Sequence, residues 1–405
     1  MLKTIDEINT FFQTHIYERY EKDSFLSFLK KVNFSFSLPV IHLTGTNGKG
    51  STLRYLKNIY VKAGYQVASF TSPYFNEVNE MISINFVNIS NEDLINIFNE
   101  YYLDFIKFDL SSFEIQTFIA LIYFLKKDVD LVLLEVGMGG ELDATNVIHN
   151  ELTIITSVSL EHTNYLGRSV SEIAHAKAGL IKFKSRVLIS KLEDSARLAI
   201  SEESKRQKAT LYEVDEYHHL EIKDQGITFD YLPYKDLKIN TLAKYQVKNA
   251  SLAIEATNIL NDLFPISKEH IYEGLLINPL ANHFEMINPH LLLDGAHNPE
   301  AITFLLEALE EVNHLPIHFL FATFKDKNHT LMLNLLAKDA SSIILTSFNH
   351  KRARSRDEYF LFLEEYQFID NYLDALNYLL ETYKDDLIVV TGSLAFATLV
   401  RKSLK

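Results

Sequence analysis

The sequence predicts an α/β protein: an N-terminal domain with a mostly parallel sheet and a phosphate-binding loop (a P-loop domain), followed by a smaller, Rossmann-like α/β domain. Three observations predict it. Short apolar runs alternate with amphipathic stretches along most of the chain. One run, residues 39–44, passes through a glycine-rich segment into a helical pattern over 51–63. After a proline-bearing stretch at 278–289 the alternation starts again.

The elements follow in order. Buried strands are expected at 39–44, 67–70, 130–135 and 152–158, with a helix over 113–126. Residues 211–241 are polar and rich in Tyr and Asp, with short alternating segments around Gly226, which predicts a small antiparallel excursion. A helical pattern returns at 245–260. Pro265, Pro279 and Pro289 mark a hinge, and strands are then expected at 291–293, 317–322, 343–346 and 387–391. At 405 residues the chain exceeds the roughly 250–300 at which one core stops growing, so a first domain over 1–284 and a second over 285–405 are expected.

Composition limits the function classes. A net charge of -14 disfavours a nucleic-acid partner. With no cysteine, neither disulfides nor a thiolate metal site can form. The N-terminal residues lack an uninterrupted apolar core for a signal peptide, and no apolar run approaches the roughly 18 residues a membrane span needs. A cytoplasmic protein with no membrane partner is expected.

The chemistry begins at Thr44. The segment TGTNGKGST, Thr44 to Thr52, sits between a strand and a helix, the context in which backbone amides and a helix N-terminus cradle phosphate. Gly45, Gly48 and Gly50 permit close approach. Lys49 would reach the terminal phosphates of a nucleotide, and Ser51 or Thr52 would ligate Mg2+. A glycine separates the lysine from the first hydroxyl, unlike the common G-x-x-x-x-G-K-[ST] pattern. Glu135 ends a wholly apolar strand, where a charge is costly unless it leaves the sheet at the edge where ligands bind. It reads as a metal carboxylate or a strand-end surface residue. His162 and Ser72 follow other strands and read as further ligands, or as a structural histidine and a turn residue before Pro73.

These segments, with LEVGMGGELDATNV, LEHTNYLG, IAHAKAGLIK, NASLAIEA, DGAHNPEA and TGSLAFAT in this order, resemble the folylpolyglutamate synthase/dihydrofolate synthase family of the Mur ligase superfamily. The resemblance spans about residues 40–400. It implies an ATP-binding domain joined to a glutamate-ligase domain, and an ATP-dependent ligase that adds L-glutamate to a folate carboxylate through an acyl phosphate. The acceptor would be a reduced folate, or dihydropteroate. Thr46, Asn47, Gly48, Lys49, Gly50, Ser51 and Thr52 would hold the nucleotide phosphates, Asn249 would meet adenine, and His283 and Asp294 would contact the nucleotide from the second domain. Mg2+ would be held by Ser51, Ser72, Glu135 and His162. Lys177 corresponds to a lysine carbamylated in similar enzymes, for a second Mg2+, and a monovalent cation is a further implied companion. His297 and Ser393 would face the incoming glutamate, and Phe113, Glu114, Leu142, Asp143 and Ala144 the folate. Lys49, Lys177 and His297 are the implied catalytic residues, in a monomer.

Plainer roles stand beside several of these. Phe113 would equally pack a core, Lys177 sit on an amphipathic helix, His297 serve a turn, and Ser393 cap a helix. The chain also departs from the family pattern. Met81, Glu141 and His283 stand where arginines are usual, and no pterin-site motif is recognisable in 15–29. Arginine supplies bidentate contacts that these residues do not. The basic stretch 350–356, in which Arg352-Ala353 resembles an R-A pair of the family, is either a replacement or a solvated face. A Mur-type ligase with a non-folate acceptor, or an ATP-binding homologue with weakened catalysis, are the alternative readings.

Overall fold

The computed structural model describes residues 2–14, 22–74, 76–223 and 226–404; residues 15–21 of the stretch without a pterin-site motif lie outside them. The chain forms two compact units. One comprises Met1–His218, Asp230–Leu237 and Lys248–Ile277, and the other His219–Phe229, Lys238–Val247 and Asn278–Lys405.

The first unit is built on eight strands: β1 (Val40–Thr44), β2 (Val67–Phe70), β3 (Ile82–Ile84), β4 (Val87–Asn88), β5 (Leu131–Glu135), β6 (Leu152–Ile155), β7 (Arg186–Ile189) and β8 (Thr210–Glu213). Their order is β4-β3-β2-β5-β1-β6-β7-β8. The six strands from β2 to β8 pair in parallel, and β3 and β4 add an antiparallel edge. β1, β2, β5 and β6 are buried at every position, which is why they read as continuous apolar runs rather than as alternation. The helix Ser112–Leu125 joins an aromatic cluster in which Phe28, Phe98, Phe105 and Phe118 are fully buried. Phe28 and Phe118 meet edge to face at 4.7 Å, a favoured ring geometry.

β1 lies between β5 and β6, so the connections leave it in opposite directions. Such a switch point opens a crevice at the carboxyl ends of the strands, where open α/β sheets bind ligands. Register places Leu43 beside Glu135 and Thr44 beside Ile155, so three neighbouring strands end together there.

A three-stranded sheet orders β9 (His218–Lys223), β10 (Gly226–Tyr231) and β11 (Tyr234–Ile239) as β11-β10-β9. Only two residues join β10 to β11, a connection that antiparallel strands alone allow. This is the excursion expected from 211–241, although residues 210–213 extend the large sheet instead.

The second unit has β12 (Glu285–Asn288), β13 (Leu291–Leu293), β14 (Ile317–Phe321), β15 (Ser342–Ser347), β16 (Gln367–Asn371) and β17 (Leu387–Thr391), ordered β12-β13-β17-β14-β15-β16. Only β12 is antiparallel to its neighbour. β17 enters between β13 and β14, which creates a second switch point. Among the described residues no helix is long and apolar enough to cross a membrane.

Candidate active site

The phosphate loop leaves β1 and enters the helix Lys49–Lys62, which starts at Lys49 rather than at residue 51. Gly48 caps that helix with φ of 86°, a left-handed conformation that an L side chain adopts at a cost. A β-carbon there would stand 2.4 Å from Asn249 Oδ1, and one at Gly45 would stand 2.0 Å from Thr156 Oγ1. Both glycines are therefore required by close neighbours as well as by backbone angle.

The first half of the loop is clamped onto the chain after β6. The Thr46 amide donates to the Ser157 carbonyl at 3.0 Å, and the Asn47 amide to Ser157 Oγ at 2.9 Å. Thr156 Oγ1 donates to the Asn47 carbonyl at 2.6 Å. The amides of Thr46 and Asn47 are thus committed to the fold. Those of the helix's first turn, from Lys49 onward, have no acceptors within the helix and carry its positive dipole end. The Lys49 ammonium folds back on the Gly45 carbonyl at 2.9 Å. Thr52 Oγ1 is buried without a hydrogen-bond partner.

Glu135 is 6% exposed. Burial pushes its carboxyl up to about 7, against the pull of the Lys49 charge and of a hydrogen bond from the Ser72 backbone amide. The Lys49 charge and the Ser72 amide, each from a segment that follows another strand, therefore act on the carboxylate that ends β5. A buried carboxylate so poorly compensated fits a cation. Among the described residues no group of three or more His, Asp or Glu gathers. One carboxylate beside hydroxyls and a phosphate loop suits a nucleotide-bound Mg2+, which keeps few protein ligands. His162 takes a left-handed conformation at the start of the helix Thr163–Leu166, and its Nε2 lies 3.6 Å from Glu161.

The loop after β5 is tied down around Asp143. Its oxygens accept from the amides of Gly137, Met138 and Thr145 and from Thr145 Oγ1, at 2.7–3.1 Å. Burial pushes its carboxyl up, and these four donors oppose the shift. Asp143 is thus saturated as a loop pin, while Leu142 beside it is 62% exposed and Ala144 is buried. The Glu141 amide donates to Ala176 on the helix Val170–Ala178, which also carries Lys177 at 2% exposure. Thr44 Oγ1 bonds the Gly139 carbonyl at 2.6 Å, so loop and phosphate strand are directly linked.

Phe113 packs on Phe70 with ring centroids 5.7 Å apart and lies against Gly137, half-buried at the rim of the aromatic core. Glu114 closes a capping box with Ser111, which engages one carboxyl oxygen and leaves the other buried without a partner. Met81 is part of the apolar core, so this chain has no cation at that position.

In the second unit, Asp294 follows β13. It accepts from the amides of Phe284 and Ala296, both at 2.8 Å, and from the Tyr245 hydroxyl at 3.4 Å. Burial pushes its carboxyl up, and the neighbouring His283 charge opposes that. His283 bonds the Ala281 carbonyl through Nδ1, and His297 that of Gly295. Asn282 takes φ of 59°, which asparagine tolerates better than most residues. Ser393 occupies the N-cap position of the helix Leu394–Ser403, yet its hydroxyl makes no capping bond and is buried without a partner. Thr323 Oγ1, past the adjacent β14, is likewise unpartnered, and so is Nε of the buried Arg354. The Arg354 amide bonds the Thr323 carbonyl, which holds these two together. Three unpartnered polar atoms beyond adjoining strand ends fit a ligand site.

The sequence reading missed Thr156 and Ser157, which brace the phosphate loop, and Thr323 and Arg354. The hydroxyl-rich exit of β6 was the available signal for the first pair. Arg354 lay inside the basic stretch, but its burial did not show in sequence. Arg352 in that stretch pairs with Asp326 at 2.9 Å.

The Mur ligase middle domain matches residues 43–257, and the Mur ligase glutamate ligase domain matches 284–394. The chain is 33% identical over 387 residues to the dihydrofolate synthase/folylpolyglutamate synthase of Bacillus subtilis, covering 90% of each. It is 29% identical over 382 residues to the folylpolyglutamate synthase of Lacticaseibacillus casei, covering 90% of this chain and 89% of that one. The solved apo form of the L. casei enzyme superposes with a TM-score of 0.87 at 26% identity, over 99% of this chain and 100% of that one. A middle-domain match over more than half the chain, a glutamate-ligase match behind it and this identity over 90% of the length establish that the chain belongs to the folylpolyglutamate synthase/dihydrofolate synthase family of Mur ligases.

Proposed function

We propose that this chain adds L-glutamate to the carboxylate of a reduced folate in an ATP-dependent reaction, with dihydropteroate as a second acceptor. The observation that carries the reading is the buried Glu135 carboxylate beside Lys49 at the sheet's switch point. A solved complex at 26% identity holds AMPPCP and folate together on the same fold.

The reaction has two steps. A carboxylate oxygen of the folate attacks the terminal phosphorus of ATP, the bond to ADP breaks, and an acyl phosphate forms. Lys49 and the amides at the start of its helix stabilise the charge on the transferring group. Thr46 and Asn47 act indirectly, by fixing the loop on Ser157. Asn249, packed against Gly48 of the phosphate loop, would contact the adenine. Mg2+, held by Glu135 with Ser51, Ser72 and His162, would neutralise phosphate charge. Lys177, buried on its helix, would carry a carbamate for a second metal. A monovalent cation completes the proposed set.

The free amine of glutamate then attacks the acyl carbon, phosphate leaves, and the amide forms. Ser393 and Arg354 offer an unpartnered hydroxyl and guanidinium nitrogen for the anionic amino acid, with His297 on the loop that leaves β13. Asp294 accepts from the amides of Phe284 and Ala296 and so positions them, with His283 beside it. Phe113, Glu114 and the loop bearing Leu142, Asp143 and Ala144 form the folate side, with Leu142 as its exposed apolar contact. We assign residues 1–284 to the ATP-binding domain and 285–405 to the glutamate-ligase domain of a cytoplasmic monomer.

Mass spectrometry of tetrahydrofolate incubated with enzyme, ATP, Mg2+ and L-glutamate tests the proposal. A product heavier by one glutamyl residue is expected. Unchanged folate, with glutamate transferred to another carboxylate, would overturn the choice of acceptor.

A further inference from the structure

The opposite, amino-terminal edge of the six-stranded sheet carries a polar cluster that the ligase reaction does not use. His318 in β14 and Ser342 at the start of β15 are register partners, and Asp386 immediately precedes β17. His318 Nδ1 lies 2.7 Å from Ser342 Oγ, and Nε2 lies 3.0 Å from Asp386 Oδ2. The Tyr383 ring stacks on the imidazole, with centroids 3.6 Å apart at 15°. Beside this cluster a cavity of about 370 Å3 is lined by Ser342, Glu365, Tyr366, Gln367, Tyr378 and Tyr383, together with small and aliphatic residues.

The trio is not arranged as a nucleophile triad. In acyl-transfer triads the serine meets Nε2 and the carboxylate meets Nδ1, and here both contacts are exchanged. Its consequence is different. The Asp386 carboxylate only accepts, so Nε2 donates to it, and Ser342, held on Nδ1, lines the cavity. Tyr366 commits its hydroxyl to Glu365, which leaves the carboxylate's other lone pairs as acceptors. One face of Tyr366 is covered by Phe362, whereas Tyr378 is 41% exposed. Ala337, which follows the helix His329–Leu336, also lines the space. No Lys, Arg or His lines the cavity.

A carboxylate and tyrosine rings, with no basic side chain among the lining residues, select one ligand chemistry. We propose that this cavity binds an organic ammonium ion, with Glu365 as counter-ion and the rings of Tyr378 and Tyr383 as walls. The site is separate from the ligase chemistry and does not rest on that reading.

Benzylammonium and benzyl alcohol, alike in shape and different in charge, are suitable probes on the full chain, with binding read by calorimetry and ligand-observed NMR. Saturable binding of benzylammonium is expected, with benzyl alcohol weaker by about tenfold or more. Glu365→Gln and Tyr378→Ala each remove an exposed side chain. Both should keep the melting temperature and ligase turnover, while Glu365→Gln erases the preference for the charged probe and Tyr378→Ala weakens both probes. Equal binding of the two probes, a preference that survives Glu365→Gln, or no saturable binding would overturn the proposal.

Discussion

Asn249 Oδ1 lies 2.4 Å from where a β-carbon on Gly48 would stand. The contact joins the phosphate loop to the helix Tyr245–Ile259, which sequence separates from it by some two hundred residues. It explains why a glycine is needed at Gly48 for two reasons, close approach and a φ of 86°.

Gly48→Ala should therefore weaken ATP binding by about tenfold or more, because the residue must displace Asn249 and distort the loop. Gly64→Ala is the control. Gly64 also has positive φ, at 92°, but nothing lies within 4 Å of the added carbon. It should cost stability of about 1 kcal/mol and leave nucleotide affinity unchanged. Calorimetric titration of both variants with a non-hydrolysable ATP analogue reads the difference.

Glu135→Gln keeps the shape of the side chain and removes its charge. Turnover should fall by about a hundredfold or more, with the fold retained. Circular dichroism together with steady-state rates at saturating Mg2+ checks both halves of this expectation. A variant with full activity would remove Glu135 from the metal site.

Ser393→Ala separates a cap from a ligand contact. The Ser393 hydroxyl makes no capping bond, so its loss should change stability by less than about 0.5 kcal/mol. Asn298 caps its helix through the Ala301 amide at 2.9 Å, and Asn298→Ala should cost about 1 kcal/mol. The kinetic outcome is the reverse, with Ser393→Ala raising KM for glutamate. Thermal melts and glutamate titrations on the two variants decide it.

Lys57 carries a pH signature. It is 2% exposed, bonds the hydroxyls of Ser69 and Ser83, both at 2.8 Å, and lies over the Phe86 ring. Burial, with the nearby Arg54 charge, lowers its ammonium to about 7. Its pKa is depressed in the fold, so the charged form is disfavoured there. The cost is full below about pH 7 and fades as pH rises toward the unfolded value near 10.5. Lys57→Met should therefore raise stability by a few kcal/mol at pH 6, with the gain shrinking by pH 9.5. Ser69 and Ser83, 3.1 Å apart, can satisfy one another in the variant. Urea unfolding of both proteins at the two pH values measures it.

The central strands of the two large sheets were legible because they are buried on two faces and read as unbroken apolar runs, whereas exposed edge strands such as β4, β12 and β16 did not show. The phosphate loop and Glu135 were legible for a related reason: glycines and a charge interrupt those runs at strand ends. What did not show was how side chains are shared. Asp143 read as a folate contact, but four donors from its own loop hold it. Ser393 read equally well as a cap, and only its missing bond separates the two roles. Thr323 and Arg354 carry no motif, since their importance lies in burial and unpartnered atoms that pairing across the second sheet creates.

The most direct test is phosphate release with tetrahydrofolate and dihydropteroate compared side by side. Phosphate is expected only when ATP, Mg2+, L-glutamate and a folate acceptor are all present, with the signal abolished in Lys49→Ala. Nucleotide binding without acceptor-dependent phosphate from either folate would contradict it.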